Sequence, residues 1–375
     1  MEGQHRRRAR RHPGRSRPVI GLLLLLAFSS WRYIDTGLPN AFTTEFPSDL
    51  KVYLLGGEKV AEHQPLYATD LLPGLPFTYP PFAGVVFSWL TESTALGVAW
   101  KALSVLVVLL VARASTSEHA LLLTAVFVLC LSPVQGTLFF GQVNLLLMGL
   151  VCLDFLPRYR LPGIGVGLAA GLKLTPAFFI LLLIQQRRWG AVFIAAFTFL
   201  CTVATGFSEV TDAKTFWTDA IFRTTRIGAD DNPGAQSIRQ VLARAGYDEP
   251  WLWLVLSALV TALGLFASRR APAPLAVSFI GMTACLVSPF SWYHHWVWIL
   301  PMLAYVYNRW GAIVLALFMV PFASVNVLHA PQLLFTLAPV GFMLWYTLLS
   351  DYAHPFIRRD NRGRHRPDAR PVRRR

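Results

Sequence analysis

Gly163–Gln185 reads GIGVGLAAGLKLTPAFFILLLIQ. It is apolar enough and long enough to cross a bilayer as a helix, which takes about 20 residues. Lys173-Leu174-Thr175-Pro176 interrupts it near the middle. A Lys at membrane depth costs several kcal/mol unless something compensates it. Two further stretches repeat the pattern: Gly141-Gln142-Val143-Asn144, and Ser288-Pro289-Phe290-Ser291-Trp292-Tyr293-His294-His295. Three polar clusters kept within apolar surroundings imply an enclosed polar site, reached from water or from the lipid headgroups.

Composition supports the membrane reading. Of 375 residues, 54% are hydrophobic and 14% charged, and the mean hydropathy is +0.47. A soluble fold of this length would need more charge to cover its surface. The net charge of +14 invites a nucleic-acid partner, but its placement excludes one. Residues 1–17 hold seven Arg and one Glu, and residues 351–375 hold nine Arg and three Asp. Sixteen minus four leaves +12 in two tails that flank the apolar region. Short Arg-rich tails beside spans mark the cytoplasmic side and suit anionic headgroups. The four cysteines (Cys130, Cys152, Cys201, Cys285) lie in apolar runs without metal-ligand spacing and read as packing residues.

Twelve apolar stretches emerge: 18–34, 79–91, 94–113, 118–134, 143–156, 162–184, 189–206, 251–267, 273–288, 292–307, 311–328 and 331–349. The expectation is an all-α polytopic membrane protein with about 12 transmembrane helices. The first stretch follows an Arg-rich start, but no A-x-A-like cleavage site follows it, so it reads as a retained span. An even number of spans puts both tails, 1–17 and 351–375, in the cytoplasm. Arg187-Arg188, Arg269-Arg270 and Arg309 then mark inside turns. Residues 18–350 form one membrane domain, with outside loops at 31–78 and 207–250. A plain count places Gly141–Asn144 inside. Alternatively, Gly163–Gln185 is two half-helices dipping in and out around Lys173 and Pro176, as breaks that line a cavity allow.

The first outside loop places Asp49 beside Tyr53 and ahead of Phe77-Thr78-Tyr79-Pro80-Pro81-Phe82. A carboxylate just above the membrane is a solvated charge or a general base for a sugar hydroxyl. Lys173 either snorkels to an interface or binds a phosphate in a cavity, and Pro176 favours the cavity. His294-His295 among Trp292, Tyr293, Trp296 and Trp298 reads either as an interfacial aromatic belt or as an aromatic-walled polar site. Adjacent helical residues point about 100° apart, so one metal ion would rarely take both rings. No metal is expected.

These residues bring the chain to a known family. It resembles glycosyltransferase family 87, the actinobacterial polyprenol-phosphate-mannose-dependent α-(1→2)-mannosyltransferases, over most of residues 18–350. The strings that carry the resemblance are Asp49-x-x-Val52-Tyr53, Phe77-Thr78-Tyr79-Pro80-Pro81-Phe82, Gly141-Gln142-x-Asn144 and Gly171-x-Lys173-x-x-Pro176. Arg187-Arg188-Trp189 and Ser288-Pro289-x-Ser291-Trp292-x-His294-His295-Trp296 complete the order. One departure lies in the second outside loop, where the family's usual Asn-Gln-Ser is Ala235-Gln236-Ser237 ahead of Ile238-Arg239. That loop is expected to meet the acceptor.

The resemblance implies the multi-helix fold of lipid-phosphate-sugar glycosyltransferases (GT-C type) and a place in cell-envelope lipoglycan synthesis. It implies transfer of mannose from polyprenyl-phosphate mannose to a glycolipid or polysaccharide on the extracytoplasmic face, with inversion to an α-linkage. Asp49 matches the catalytic acid residue of the first outside loop and would deprotonate the acceptor. Lys173, His294 and His295 would stabilise the leaving phosphate. Gln142, Asn144, Tyr79 and Arg239 would be further substrate contacts. No cofactor is needed. Two rivals stay open: a polyprenyl-phosphate-arabinose-dependent arabinofuranosyltransferase and a lipid or sugar transporter. The absence of an internal repeat argues against the transporter.

Overall fold

Proline and glycine punctuate the apolar runs, and in the computed structural model the helices break at many of them. The structure describes residues 45–116, 119–156, 160–323 and 332–357, with the isolated positions Ile20, Gly21, Leu23, Ala41 and Thr43. The basic tail 1–17, most of the expected span 18–34 and residues 358–375 lie outside the described residues. The last helix, Gln332–Ile357, continues past the expected domain end at residue 350.

Nearly all the regular structure is helical. Three helices among the described residues are long and apolar enough to cross a membrane: Thr94–Ser115, Trp189–Glu209 and Pro250–Ser268. Local chemistry sets their ends. Ser93 accepts the Leu96 N–H at 3.1 Å as an N-cap, and Pro250 occupies a first-turn position where a missing N–H costs nothing. Their outward faces are apolar, with Phe193, Phe197 and Leu200 exposed on one and Leu254 and Leu259 on another.

Other expected spans are bent or short. The expected straight span 118–134 becomes Ala120–Cys130 followed by Ser132–Phe140, with a bend of 76° between them. Pro133 is in the first turn of the second piece, where a proline cannot continue the preceding helix. The expected 162–184 span divides into Ile164–Leu172 and a 3₁₀ turn, Thr175–Phe179, that runs into Ile180–Gln185. Lys173 sits at the break in extended backbone, with φ −155° and ψ 131°. The expected 292–307 span begins as a 3₁₀ segment, Tyr293–Ile299, before Leu300–Trp310 takes over.

The two loops expected outside, 31–78 and 207–250, carry their own structure where described. The first holds the helix Ser48–Ala61 and an antiparallel hairpin of Asp70–Leu72 with Leu75–Pro76, an exception to the all-α expectation. Gly74 makes the hairpin turn at φ +72°, where its N–H meets Asp70 Oδ2 at 3.1 Å. The second holds Ala213–Thr218, the 3₁₀ turns Ala220–Phe222 and Thr224–Arg226, and Ile238–Arg244. Asp212 joins the loops by accepting the backbone N–H groups of Leu66 and Tyr67, each at 2.8 Å.

Two devices fix the helix that ends at Lys173. Gly163, Gly167 and Gly171 form a small-residue stripe, and a Cβ at any of them would collide with Ala191, Ala195, Thr198 or Thr202 of Trp189–Glu209. Such stripes let helix backbones approach closely where no hydrophobic force drives helices together. At the other end, fully buried Asp154 accepts the N–H groups of Gly163 and Val166 at 2.7 Å each. Those are donors that the start of a helix leaves unpaired.

Candidate active site

Asp49 lies in the first turn of Ser48–Ala61, where the helix dipole favours a carboxylate. Tyr53 follows one turn later on the same face. Tyr79 precedes the Pro80-Pro81 helix start, and its carbonyl accepts the Tyr67 hydroxyl at 2.7 Å. Since Asp212 holds the Tyr67 backbone, both of these loops position Tyr79.

Gln142 is delivered to this group by Gly141. That glycine ends Ser132–Phe140 at φ +69°, and a Cβ there would sit 2.6 Å from Pro47 and 2.8 Å from Leu50. Only glycine permits both the left-handed turn and the close approach. The buried Gln142 side chain donates through Nε2 to Asp49 Oδ2. Its Oε1 receives Tyr53 at 2.8 Å and Tyr79 at 3.0 Å, and the two tyrosine oxygens are themselves 2.8 Å apart. Two hydroxyl protons serve three contacts, so two are filled at any moment. The tyrosines therefore decide which end of the amide faces Asp49. Burial raises the Asp49 carboxyl above its ordinary range, while Gln142, Ser48 and the charge of Lys173 pull it back down.

The second half of the site is built around Lys173. Its ammonium donates to Asn144 Oδ1 at 2.9 Å and meets His295 Nε2 at 3.1 Å. An ammonium only donates, so the second contact requires a lone pair on that nitrogen and fixes the His295 proton on Nδ1. The third Lys173 N–H stays available. The Tyr79 ring lies 5.4 Å from Nζ, which joins the two halves. Asn144 Nδ2 and Thr137 Oγ1 both donate to the His294 carbonyl, at 3.1 Å and 2.9 Å. The His294 ring is buried, flanked by Phe140 and Trp292, and among the described residues neither ring nitrogen has a partner.

Asp49, Tyr53, Tyr79, Gln142, Lys173, His294 and His295 line one cavity of about 580 Å³, walled by Val52, Phe140, Phe216, Phe290, Trp292 and Tyr293 among others. Asn144 stands behind Lys173. The cavity thus gathers a carboxylate, an ammonium with a spare proton and an imidazole with open nitrogens. Such a set can take a proton from a hydroxyl and hold an anion.

Arg239 is placed elsewhere. It pairs with Asp230 at 2.9 Å and does not line the cavity. Ala235–Ser237 also lie off it, and they brace the histidine segment instead. Ala235 bridges to Trp292, the Gln236 N–H meets Ser291 O at 2.6 Å, and the Tyr293 N–H meets Gly234 O at 2.9 Å. This segment is thus paired as backbone, and the same loop reaches the cavity elsewhere, through Phe216, Ile221 and Thr224. Sequence reasoning missed Arg226, which does line the cavity. Nothing in its spacing separates it from Arg223, Arg239 or Arg244.

Residues 77–289 match the family model of glycosyltransferase family 87. Among curated relatives, a polyprenol-phosphate-mannose-dependent alpha-(1-2)-phosphatidylinositol mannoside mannosyltransferase of Mycobacterium tuberculosis is 36% identical, over 75% of this chain and 74% of its own length. Its counterpart in Mycolicibacterium smegmatis is 35% identical over 68% of each chain. A polyprenol-phosphate-mannose-dependent alpha-(1-2)-phosphatidylinositol pentamannoside mannosyltransferase of M. tuberculosis is 31% identical over 84% of this chain and 81% of the relative. No solved structure matches the chain.

Proposed function

Because the chain belongs to glycosyltransferase family 87, we propose that it transfers mannose from polyprenol-phosphate mannose to a phosphatidylinositol mannoside, forming an α-(1→2) bond. The donor named for the relatives favours mannose over arabinose, and their named acceptors favour a glycolipid over a polysaccharide. The observation that carries the mechanism is the meeting of Asp49, Lys173 and the unpartnered His294 ring in one cavity.

Asp49 takes the proton of the acceptor hydroxyl as that oxygen attacks the anomeric carbon. The bond from that carbon to the phosphate oxygen breaks, and its electron pair leaves with the lipid phosphate. Attack from the opposite face inverts the β-linkage to α. The leaving group is a stable anion, so no general acid is required. Its growing charge is met by the third N–H of Lys173, which Asn144 and His295 hold in place, and by a His294 N–H. Gln142, with Tyr53 and Tyr79, orients the Asp49 carboxylate.

In this reading the fold is that of lipid-phosphate-sugar glycosyltransferases, with about 12 spans and both basic tails in the cytoplasm. The cavity, formed by two outside loops and three broken helices, opens to the extracytoplasmic face, where the lipid donor is presented.

The test is Asp49→Asn in purified protein supplied with polyprenyl-phosphate mannose and a phosphatidylinositol mannoside. Loss of a general base lowers turnover by about 10²–10⁴-fold, with donor binding retained. More than half of wild-type turnover would remove Asp49 from the mechanism.

A further inference from the structure

Arg226 ends the 3₁₀ turn Thr224–Arg226 and lines the cavity together with Thr224 and Ile227. Among the described residues its Nε is buried without a partner, and its one side-chain hydrogen bond, to the Tyr67 carbonyl, is long at 3.4 Å. The neighbouring arginines are satisfied. Arg223 pairs with Asp219 at 2.7 Å, Arg239 pairs with Asp230 at 2.9 Å, and Arg244 donates to the carbonyls of Asn232 and Ala235 at 2.9 and 2.7 Å. Among the described residues, no carboxylate lies within 4.0 Å of the Arg226 guanidinium. A guanidinium has five N–H donors in a rigid fork, and leaving buried donors unfilled is costly.

We propose that Arg226 is a phosphate site: its fork receives the oxygens of a lipid phosphodiester in the cavity. A phosphate matches that fork in charge and in planar, two-pronged geometry. The Tyr67 carbonyl that Arg226 approaches belongs to the residue clamped by Asp212 and bonded to Tyr79, which sets the guanidinium beside the Tyr79 wall of the cavity. Lys173 cannot serve two anions, since two of its three protons are committed to Asn144 and His295. The chemistry has two sources, the prenyl phosphate of the donor or the phosphodiester of a phosphatidylinositol acceptor. This proposal rests on the function proposed above only for naming those lipids.

The experiment is binding rather than turnover. Isothermal titration calorimetry reads the affinity directly and needs no reporter group. Full-length protein in detergent is titrated with a short-chain prenyl phosphate and, separately, with a short-chain phosphatidylinositol. Arg226→Gln is expected to weaken one of them by about tenfold or more, while Arg223→Gln, whose arginine lies off the cavity, changes neither. Loss on the prenyl phosphate assigns the donor, and loss on phosphatidylinositol assigns the acceptor. Both affinities within twofold of wild type would overturn the proposal. If Arg226→Gln does not fold, Arg226→Lys keeps the stem and charge but loses the fork. It should then weaken the same ligand by about threefold or more, and no change would refute the site. A wild-type protein that binds both lipids yet transfers no mannose defeats the functional reading and leaves this site standing.

Discussion

Replacing Gln142 with Leu separates a positioning role from a merely structural one. Asp49 Oδ2 takes its hydrogen bond from the Gln142 amide, while Oδ1 has only the long 3.2 Å contact from Ser48. Gln142→Leu therefore removes the stronger of the two donors that stabilise the ionised carboxylate. A hydrogen bond to a charged group is worth about 1.5–3 kcal/mol, and about 1.4 kcal/mol corresponds to one pH unit. Burial already lifts the Asp49 carboxyl, so losing this donor lifts it further. Asp49 works as a base only when ionised. The acidic limb of the kcat/KM profile, which reports the free enzyme, should thus move to higher pH by about one to two pH units. At any pH below the limb, each pH unit of that movement lowers activity by about tenfold, and above the limb activity recovers toward wild type. Tyr53 and Tyr79 can still bond to each other, which limits structural damage. Gln142→Glu should move the limb further, because two neighbouring carboxyls resist ionising together. A loss that is uniform across pH, with the limb unmoved, would refute the positioning role.

Lys173→Met keeps the apolar stem and removes the charge. Donor affinity measured by titration should fall by about tenfold to a hundredfold, and an unchanged value would return Lys173 to a structural role. Asp154→Ala strands the buried N–H groups of Gly163 and Val166 and should cost about 2–5 kcal/mol. It should show as a lower Tm in detergent, with donor affinity retained in the cold. For sidedness, a cysteine at exposed Thr69, in a background without the four native cysteines, should react with an impermeant thiol reagent on intact cells. One at exposed Arg269 should react only after permeabilisation, and the reverse pattern would put Asp49 in the cytoplasm.

The convergence of the polar clusters was legible because each was anomalous where it stood. Gln142 and Lys173 sit in stretches where an unpaired polar group is expensive, so partners had to exist. Which partners was not legible. Gln142 meets tyrosines that lie 89 and 63 positions away in the chain, and Lys173 meets a histidine 122 positions away. No local pattern encodes such pairings. Arg239 is the converse case: a cation in a loop beside a family motif reads as a substrate contact, and its pairing with Asp230 off the cavity has no trace in the local sequence. Straightness was legible only where polar residues interrupt the run, as at Lys173 and Pro176. Hydropathy reports how apolar a segment's surroundings are and not whether it runs unbroken, so the stretch 118–134 hid a bend of 76°.

The helix breaks and the site residues coincide for a physical reason. A helix satisfies its own backbone, and ending one inside an apolar region exposes carbonyl and N–H groups that need partners. At His294 the carbonyl is taken by Thr137 and Asn144, and at Gly163 and Val166 the N–H groups are taken by Asp154. Asn144 then uses its remaining oxygen to hold Lys173. One amide thus repairs a broken backbone at one end and aims an ammonium at the other. The same economy holds at Gly141, whose turn ends a helix and presents Gln142 to Asp49. The polar groups needed to make the breaks tolerable are those that fix the side chains facing the cavity. A variant that restored helical continuity at Lys173 or Gly141 would therefore gain backbone hydrogen bonds and lose the aim of the residues that do the chemistry.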